Sequence, residues 1–508
     1  MTRSTRTAHL TRFVQLACPT PNQLRAGSAL VAVSLLVMSL TAHAEPKPLE
    51  NPIPKKIAVG DIKVATERFV RVPRTRDTHD RPMLLKDLNV ELGTSAAYAR
   101  LQYLLPIRDG TGRLVISDLR GLLYVVDASG KNLATYLDLR KATDNFADGI
   151  FPNEAGLLGF AFHPEFGQQG KPGYGKFYTA YSATVDSGKA AYLEGPALTQ
   201  KSVIKEWTAN DSRANVFAGA SRELFRAGQF SPNHNIGTLA FNHGVGPGSP
   251  DYGMLYVCMG DGGGAYDTFD YGQSLAEPLG ALMRIDPLGG GRRGRAYGIP
   301  ADNPFVGRSG VAEEIWAYGL RHPQQFSFDT DGRLFINDIG QNHVEEVNIG
   351  VAGANYGWRV REGTFATGYD AGIGISASVF KKPRPARKYT GPVAQYDHDE
   401  GNAIGSGFVY RGSAIPSLRG KYVAADIVLG RLFYFDVGRL RPGKPAKLRE
   451  LQIEVDGKTQ SMLDAVGYEN SYARHLNRAD LRMGIDDAGE LYLVTKGDGW
   501  VRKIVPAR

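Results

Sequence analysis

The stretch "DTDGRLFIND", Asp329 to Asp338, decides the fold: Asp-Thr-Asp-Gly is turn chemistry, and a short apolar run, Leu334-Phe335-Ile336, follows it. A tight turn feeding a short apolar strand is a β signal, with no 3.6-residue period in it. The same pattern, glycine followed two and three residues on by a large apolar residue and an aromatic, returns as "GLLY" at Gly121, "GKFY" at Gly175, "GMLY" at Gly253, "GRLF" at Gly332 and Gly430, and "GELY" at Gly489. Six copies spaced 54, 78, 79, 98 and 59 residues apart leave room for four-stranded sheets with insertions, the unit of a β-propeller. Gly-x-Leu-Tyr also opens strands in other β proteins, so the repeat alone leaves the architecture open.

Composition agrees with an all-β chain. Of 508 residues 42% are hydrophobic and 22% charged, and the 61 glycines and 28 prolines fall between short apolar runs, as many turns joining many strands require. No long amphipathic helix is written into the sequence.

Residues 1–44 stand apart. Arg3, Arg6, Arg12 and Arg25 precede an apolar run from Ser28 that ends at Ala42-His43-Ala44, and the segment contains no acid. This reads as a secretory signal peptide, either cleaved after Ala44 or kept as an anchor, since the run approaches the length that spans a bilayer. Residues 45–85 read as an extended, Pro-rich N-terminal segment, and residues 86–508 as the propeller. Without the signal arginines the net charge falls from +8 to +4, with 56 basic against 52 acidic residues. Basic residues are scattered and not interleaved with aromatics, so nucleic acid is excluded as a partner. Cys18 lies in the signal, which leaves Cys258, inside "MLYVCM", without an intramolecular disulfide partner and reads it as a small buried hydrophobe. Dispersed histidines disfavour zinc, and "GDGGG" at Gly260 lacks the Lys-Ser/Thr and helix of a phosphate loop.

Longer blocks settle the architecture. "NEAGLLGFAFHPEF" (Asn153–Phe166), "LGALMRIDP" (Leu279–Pro287), "YGIPADNPF" (Tyr297–Phe305), "EIWAYGLRHPQQFSFD" (Glu314–Asp329), "NDIGQNHVEEVNIGVAGANYGWRVREGT" (Asn337–Thr364), and "GFVYRG" with "GKYVAADIVLGRLF" (Gly407–Phe433) occur in that order. Together they resemble the soluble glucose/sorbosone dehydrogenases, quinoproteins that oxidise aldose sugars with pyrroloquinoline quinone (PQQ). The resemblance implies a six-bladed β-propeller of four-stranded antiparallel sheets, PQQ over the central channel, calcium at its quinone edge, a periplasmic or secreted location, and an external electron acceptor. The chain would work as a monomer or homodimer, away from the membrane unless the signal is retained.

The resemblance also assigns residues. His234, in "SPNHNIGTLAF", matches the general base, and imidazole suits removal of a proton from a hemiacetal hydroxyl near neutral pH. Asp261 matches the carboxylate that supports it. Arg321, in "YGLRHP", matches an arginine that reaches the cofactor, where a guanidinium stabilises growing negative charge; the next residue is His322 where the family commonly has Asn. Glu154 falls at the channel mouth. Arg411 and Arg482 match basic residues that pair with the PQQ carboxylates, with Asp480 where a second arginine is expected, and Tyr266 and Trp358 are placed to stack on or edge the cofactor. Gly340 and Gln341 would offer carbonyls to the cofactor's calcium, and Glu346 with Tyr356 oxygens to a structural one. Two rival functions share the architecture: a non-catalytic binding module, since animal Hedgehog-interacting proteins carry this domain type, and a calcium-dependent propeller lactonase.

Overall fold

Six glycine-led turns give six blades. The computed structural model describes residues 46–76, 98–148, 154–291, 294–382, 388–466 and 478–507, so the signal segment lies outside the described residues. Five blades follow chain order from the channel outward: one from Leu101–Pro106 to Ala134–Asp138, the next from Leu157–Phe162 to Gly219–Gln229, then Ile236–Phe241 to Ile315–Tyr318, Gln325–Phe328 to Ala394–Asp397, and Ile404–Val409 to Arg449–Val455. The sixth begins with Arg482–Ile485, Leu491–Val494 and Trp500–Pro506. Each blade carries one copy of the repeat, and all six repeat glycines have positive φ, from 67° to 96°, which only glycine adopts freely. The repeat does not open an innermost strand: it opens the second strand of four blades and the third, Leu122–Val126 and Leu432–Asp436, of the other two.

The sixth blade is completed from the other end of the sequence. Ala58–Arg71, expected as part of an extended segment ahead of the propeller, is a 14-residue strand that pairs antiparallel with Trp500–Pro506 and, on its other edge, parallel with Arg449–Val455. It is the fourth strand of the last blade and ties that blade to the one before. Its inward residues Ile62 and Val64 are buried with Ile453, Val455, Leu491, Leu493 and Ile504. Among the described residues the α-helices are two short pieces, Leu139–Ala142 and Met462–Val466, and no helix is long and apolar enough to cross a membrane.

Because strands within a blade alternate in direction, every innermost strand starts at the same end of the channel. Residues just before those starts, and just after the second strands, therefore converge on one mouth. Below it the channel is stopped by a polar floor: the Tyr103 hydroxyl crosses to the Gln324 carbonyl at 3.2 Å, and Thr238 Oγ1 donates to the same oxygen at 3.1 Å. Beyond the floor lies an apolar cavity of about 90 Å³ lined by Phe162, Phe241, Phe326 and Phe328.

Ring closure by the N-terminal strand has a measurable consequence. Val64 pairs with both Ile453 and Pro506 and is fully buried. Val64→Ala should lower the unfolding free energy by about 2–3 kcal/mol in urea titrations, whereas Glu67→Ala, on the exposed face of the same strand, should change it by less than about 0.5 kcal/mol.

Candidate functional site

The mouth collects side chains from successive blades. His234 precedes its inner strand in a left-handed backbone conformation, φ 51°, rare for a residue with a Cβ and sustained only where neighbours fix it. They do so here: the His234 N–H donates to Glu154 Oε2 at 2.8 Å, and Asn235 Nδ2 donates to the Glu154 and Pro232 carbonyls. Gly260 lets the second strand pass, since a Cβ there would lie 2.4 Å from the His234 carbonyl oxygen.

His234 Nδ1 lies 2.6 Å from Asp261 Oδ1, both side chains being buried. A carboxylate at that distance accepts a hydrogen bond from Nδ1–H, which places the lone pair of the neutral ring on Nε2. Asp261 also accepts from the Gly263 N–H and from Trp358 Nε1 at 2.8 Å. Burial pushes the Asp261 carboxyl up, but the His234 ring, Arg321 and the Gly263 N–H outweigh it and hold the carboxyl below its ordinary range. His322 stacks on His234 with ring centroids 4.6 Å apart, and its Nδ1 stands 3.7 Å from Glu154 Oε2. Burial pushes His322 down to about 3, so this ring is neutral.

Arg321 and His322 are set by a residue the sequence reading did not name. The carboxylate of Asp338, at the end of a second strand, accepts the Arg321 N–H at 2.9 Å and the His322 N–H at 2.7 Å. The Arg321 guanidinium lies 5.6 Å from the centre of the Trp358 ring and donates to Ile339 O at 3.0 Å, Gly340 O at 2.6 Å and Gln341 Oε1 at 3.1 Å. Tyr266 is beside it, its N–H on Gln341 Oε1 and its hydroxyl accepting from Asn342. On the other side of the mouth Arg482, fully buried, donates to Gln324 Oε1 and Leu481 O, and its Nε has no hydrogen-bond partner among the described residues. Arg100, Arg478 and Lys496 share that region electrostatically, and Lys496 is pushed down to about 7 by burial, with the arginines adding to the fall and Asp480 opposing it. Asp480 itself pairs with Arg478 at 2.7 Å.

The structure thus brings together Glu154, His234, Asp261, Tyr266, Arg321, His322, Gly340, Gln341 and Trp358, with Arg482 across the mouth. Arg411 is not among them. It follows the far end of the inner strand Ile404–Val409 and forms a two-pronged ion pair with Asp329 at 2.8 and 2.5 Å, so its expected contact with a cofactor at the mouth is corrected. Trp358 is an Asp261 donor as well as a flat surface. The donor set fits an aromatic polycarboxylate such as PQQ, because buried cationic groups with an unused N–H attract an anion.

It does not fit calcium where calcium was expected. The Gly340 carbonyl already serves Arg321, Gln341 turns its side-chain oxygen, not the expected carbonyl, to the same guanidinium, and the Tyr356 hydroxyl is turned to Ile349 O at 2.7 Å and the Val351 N–H at 3.1 Å. Glu346 sits opposite Asp338 in register and accepts from Asn348. Among the described residues no group of three or more His, Cys, Asp or Glu is arranged to hold a metal ion.

A second buried carboxylate, Asp267, sits next to the pair. It accepts the N–H groups of Tyr271 and Gly272, and burial followed by the nearby Asp261 pushes it up to about 7. A carboxyl whose folded value exceeds its unfolded one takes up a proton on folding, so stability is present below that value and falls as pH rises from about 4 through 7. Asp267→Asn should therefore flatten the decline of Tm between pH 5 and 8 seen in a pH series of thermal melts.

Known proteins resemble the chain in sequence and fold. The HIPL1 protein of Arabidopsis thaliana is 32% identical over 364 residues, which cover 64% of this chain and 50% of that protein, so the chain spans about half the length of such a relative. The aldose sugar dehydrogenase of Escherichia coli is 26% identical over 349 residues, 66% of this chain and 80% of that one. A solved structure of the PQQ-bound aldose sugar dehydrogenase from Streptomyces coelicolor superposes with a TM-score of 0.50 at 20% identity, covering 87% of this chain and 98% of that chain, a likeness of fold. The glucose/sorbosone dehydrogenase family model matches residues 103–461, and the chain belongs to that family.

Proposed function

We propose that the chain is an exported dehydrogenase that oxidises the C1 hydroxyl of aldose sugars to the lactone with PQQ. The observation that carries the reading is the buried His234–Asp261 pair, 2.6 Å apart, at a mouth with Arg321 on one side and buried basic groups on the other. When bound, PQQ supplies the acceptor for the hydride that leaves C1 and hands two electrons to an external acceptor. His234 Nε2 receives the hydroxyl proton, and Asp261 steadies the resulting imidazolium through Nδ1. Glu154 fixes the backbone that presents the ring. Arg321 and Trp358 form one wall. Arg482 and its basic neighbours draw the carboxylates of a planar anion toward the sixth blade. Export rests on the N-terminal signal segment. Calcium is no part of this reading, because the Gly340 carbonyl and the Gln341 side-chain oxygen serve Arg321.

The stacking of His322 on His234 favours a second reading, a propeller that binds without turning sugar over, because a neutral ring now covers one face of the base. One experiment separates the two. The protein is incubated with PQQ and assayed for dye reduction across a panel of aldoses. Sugar-dependent turnover is expected, falling by about 10²–10⁴-fold in His234→Ala and by a similar factor in Asp261→Asn, which spoils the tautomer. Absence of turnover with every sugar would favour the binding module.

A further inference from the structure

Three oxygens from three consecutive residues converge on one guanidinium: the carbonyls of Ile339 and Gly340 and the side-chain amide of Gln341. Arg321 Nη1 and Nε approach these oxygens at 3.0, 2.6 and 3.1 Å. We infer that the Arg321 guanidinium stands in this oxygen cradle in place of a divalent cation, so that the site holds its positive charge without metal.

The cradle is built like a cation site. Gly340 cannot carry a side chain, because a Cβ would lie 1.9 Å from the Val344 carbonyl oxygen, and the N–H groups of Gln341, Asn342, His343 and Val344 are all anchored on Glu362 Oε1. The loop is thus held by its N–H groups with its oxygens turned to a common centre. Calcium would bind such oxygens at about 2.3–2.6 Å and needs six to eight of them. An ion added beside Nη1 on the Gly340 oxygen would stand about 4 Å from a permanent cation, and the two repel. The Arg321 backbone is fixed, its N–H on Asp338 and its carbonyl accepting the Asp261 N–H at 2.8 Å, and Trp358 backs its guanidinium. A guanidinium stays charged at every working pH, so the field at Asp261 and Asp338 does not depend on metal supply.

The test needs no turnover and stands apart from the dehydrogenase reading. Protein stripped with EGTA is titrated with Tb³⁺, reading tryptophan-sensitised emission, and with Ca²⁺, reading Tm. Trp358 is the reporter, with Trp358→Phe as the control, all in a Glu346→Gln background that removes the neighbouring carboxylate. The Arg321-containing protein should give no Trp358-dependent emission and no Ca²⁺ shift in Tm. Arg321→Ala, or Arg321→Gln if the alanine variant fails to fold, should gain emission that Ca²⁺ displaces, with affinity at least about tenfold higher, and should gain several degrees of Tm in Ca²⁺. Arg321→Lys should stay silent. Trp358-dependent emission with Arg321 in place would overturn the inference, as would silence in folded Arg321→Ala and Arg321→Gln, which would show that the cradle accepts no cation.

Discussion

Everything at the mouth depends on one backbone interaction, the pairing of Ala58–Arg71 with strands on both of its edges. A propeller puts its functional residues on the starts of strands that belong to different blades. Glu154, His234, Arg321 and Arg482 come from four of them, and no local structure holds the four together. Their spacing is set by the circumference of the ring. An open ring would leave the edges of Trp500–Pro506 and Arg449–Val455 unpaired, and unpaired edges splay or seek another chain. The strand that prevents this lies almost 400 residues from one partner and more than 400 from the other, so closing the ring carries the entropy cost of the longest loop in the chain.

Within that ring, carboxylates do the positioning. Glu154 holds the backbone of His234, Asp338 the backbone of Arg321 and His322, Glu362 the loop from Gln341 to Val344, and Asp261 the ring of His234. Each satisfies buried N–H groups that no strand ladder can reach. The arrangement concentrates negative charge in the third and fourth blades. The cost is visible in Asp267 and Asp338, each pushed up to about 7, first by burial. The cation that offsets it, Arg321, belongs to the same segment.

The sequence was readable where the information is local. Glycine-led turns reported the blade count because each needs positive φ, whatever the rest of the chain does. His234 and Asp261 lie outside the longer blocks, in "SPNHNIGTLAF" and "GDGGG", and the short motifs singled them out without saying that their side chains meet at 2.6 Å. The strand Ala58–Arg71 was readable as extended, but not as part of the last blade, because its partners are remote. Arg411 was misplaced for a related reason: a basic residue next to an inner strand reaches the mouth only from the strand's start, and "GFVYRG" does not say at which end the mouth lies. Asp338, Gln324 and Tyr103 went unnamed because their partners lie in other turns or across the channel. Gly340 and Gln341 were legible as oxygen donors, whereas the identity of the cation they serve was not.

The field at the mouth then follows from the two sides together. Asp261, held below its ordinary range with Arg321 beside it, lies on one side, and Arg482 and Arg478 with the Asp480 carboxylate on the other, while burial pushes Asp267, Asp338 and Glu346 up toward their neutral forms. His322 is neutral at the centre of this field and adds bulk without charge. A neutral ring in place of the Asn expected at this position therefore changes the shape of the mouth and not its charge.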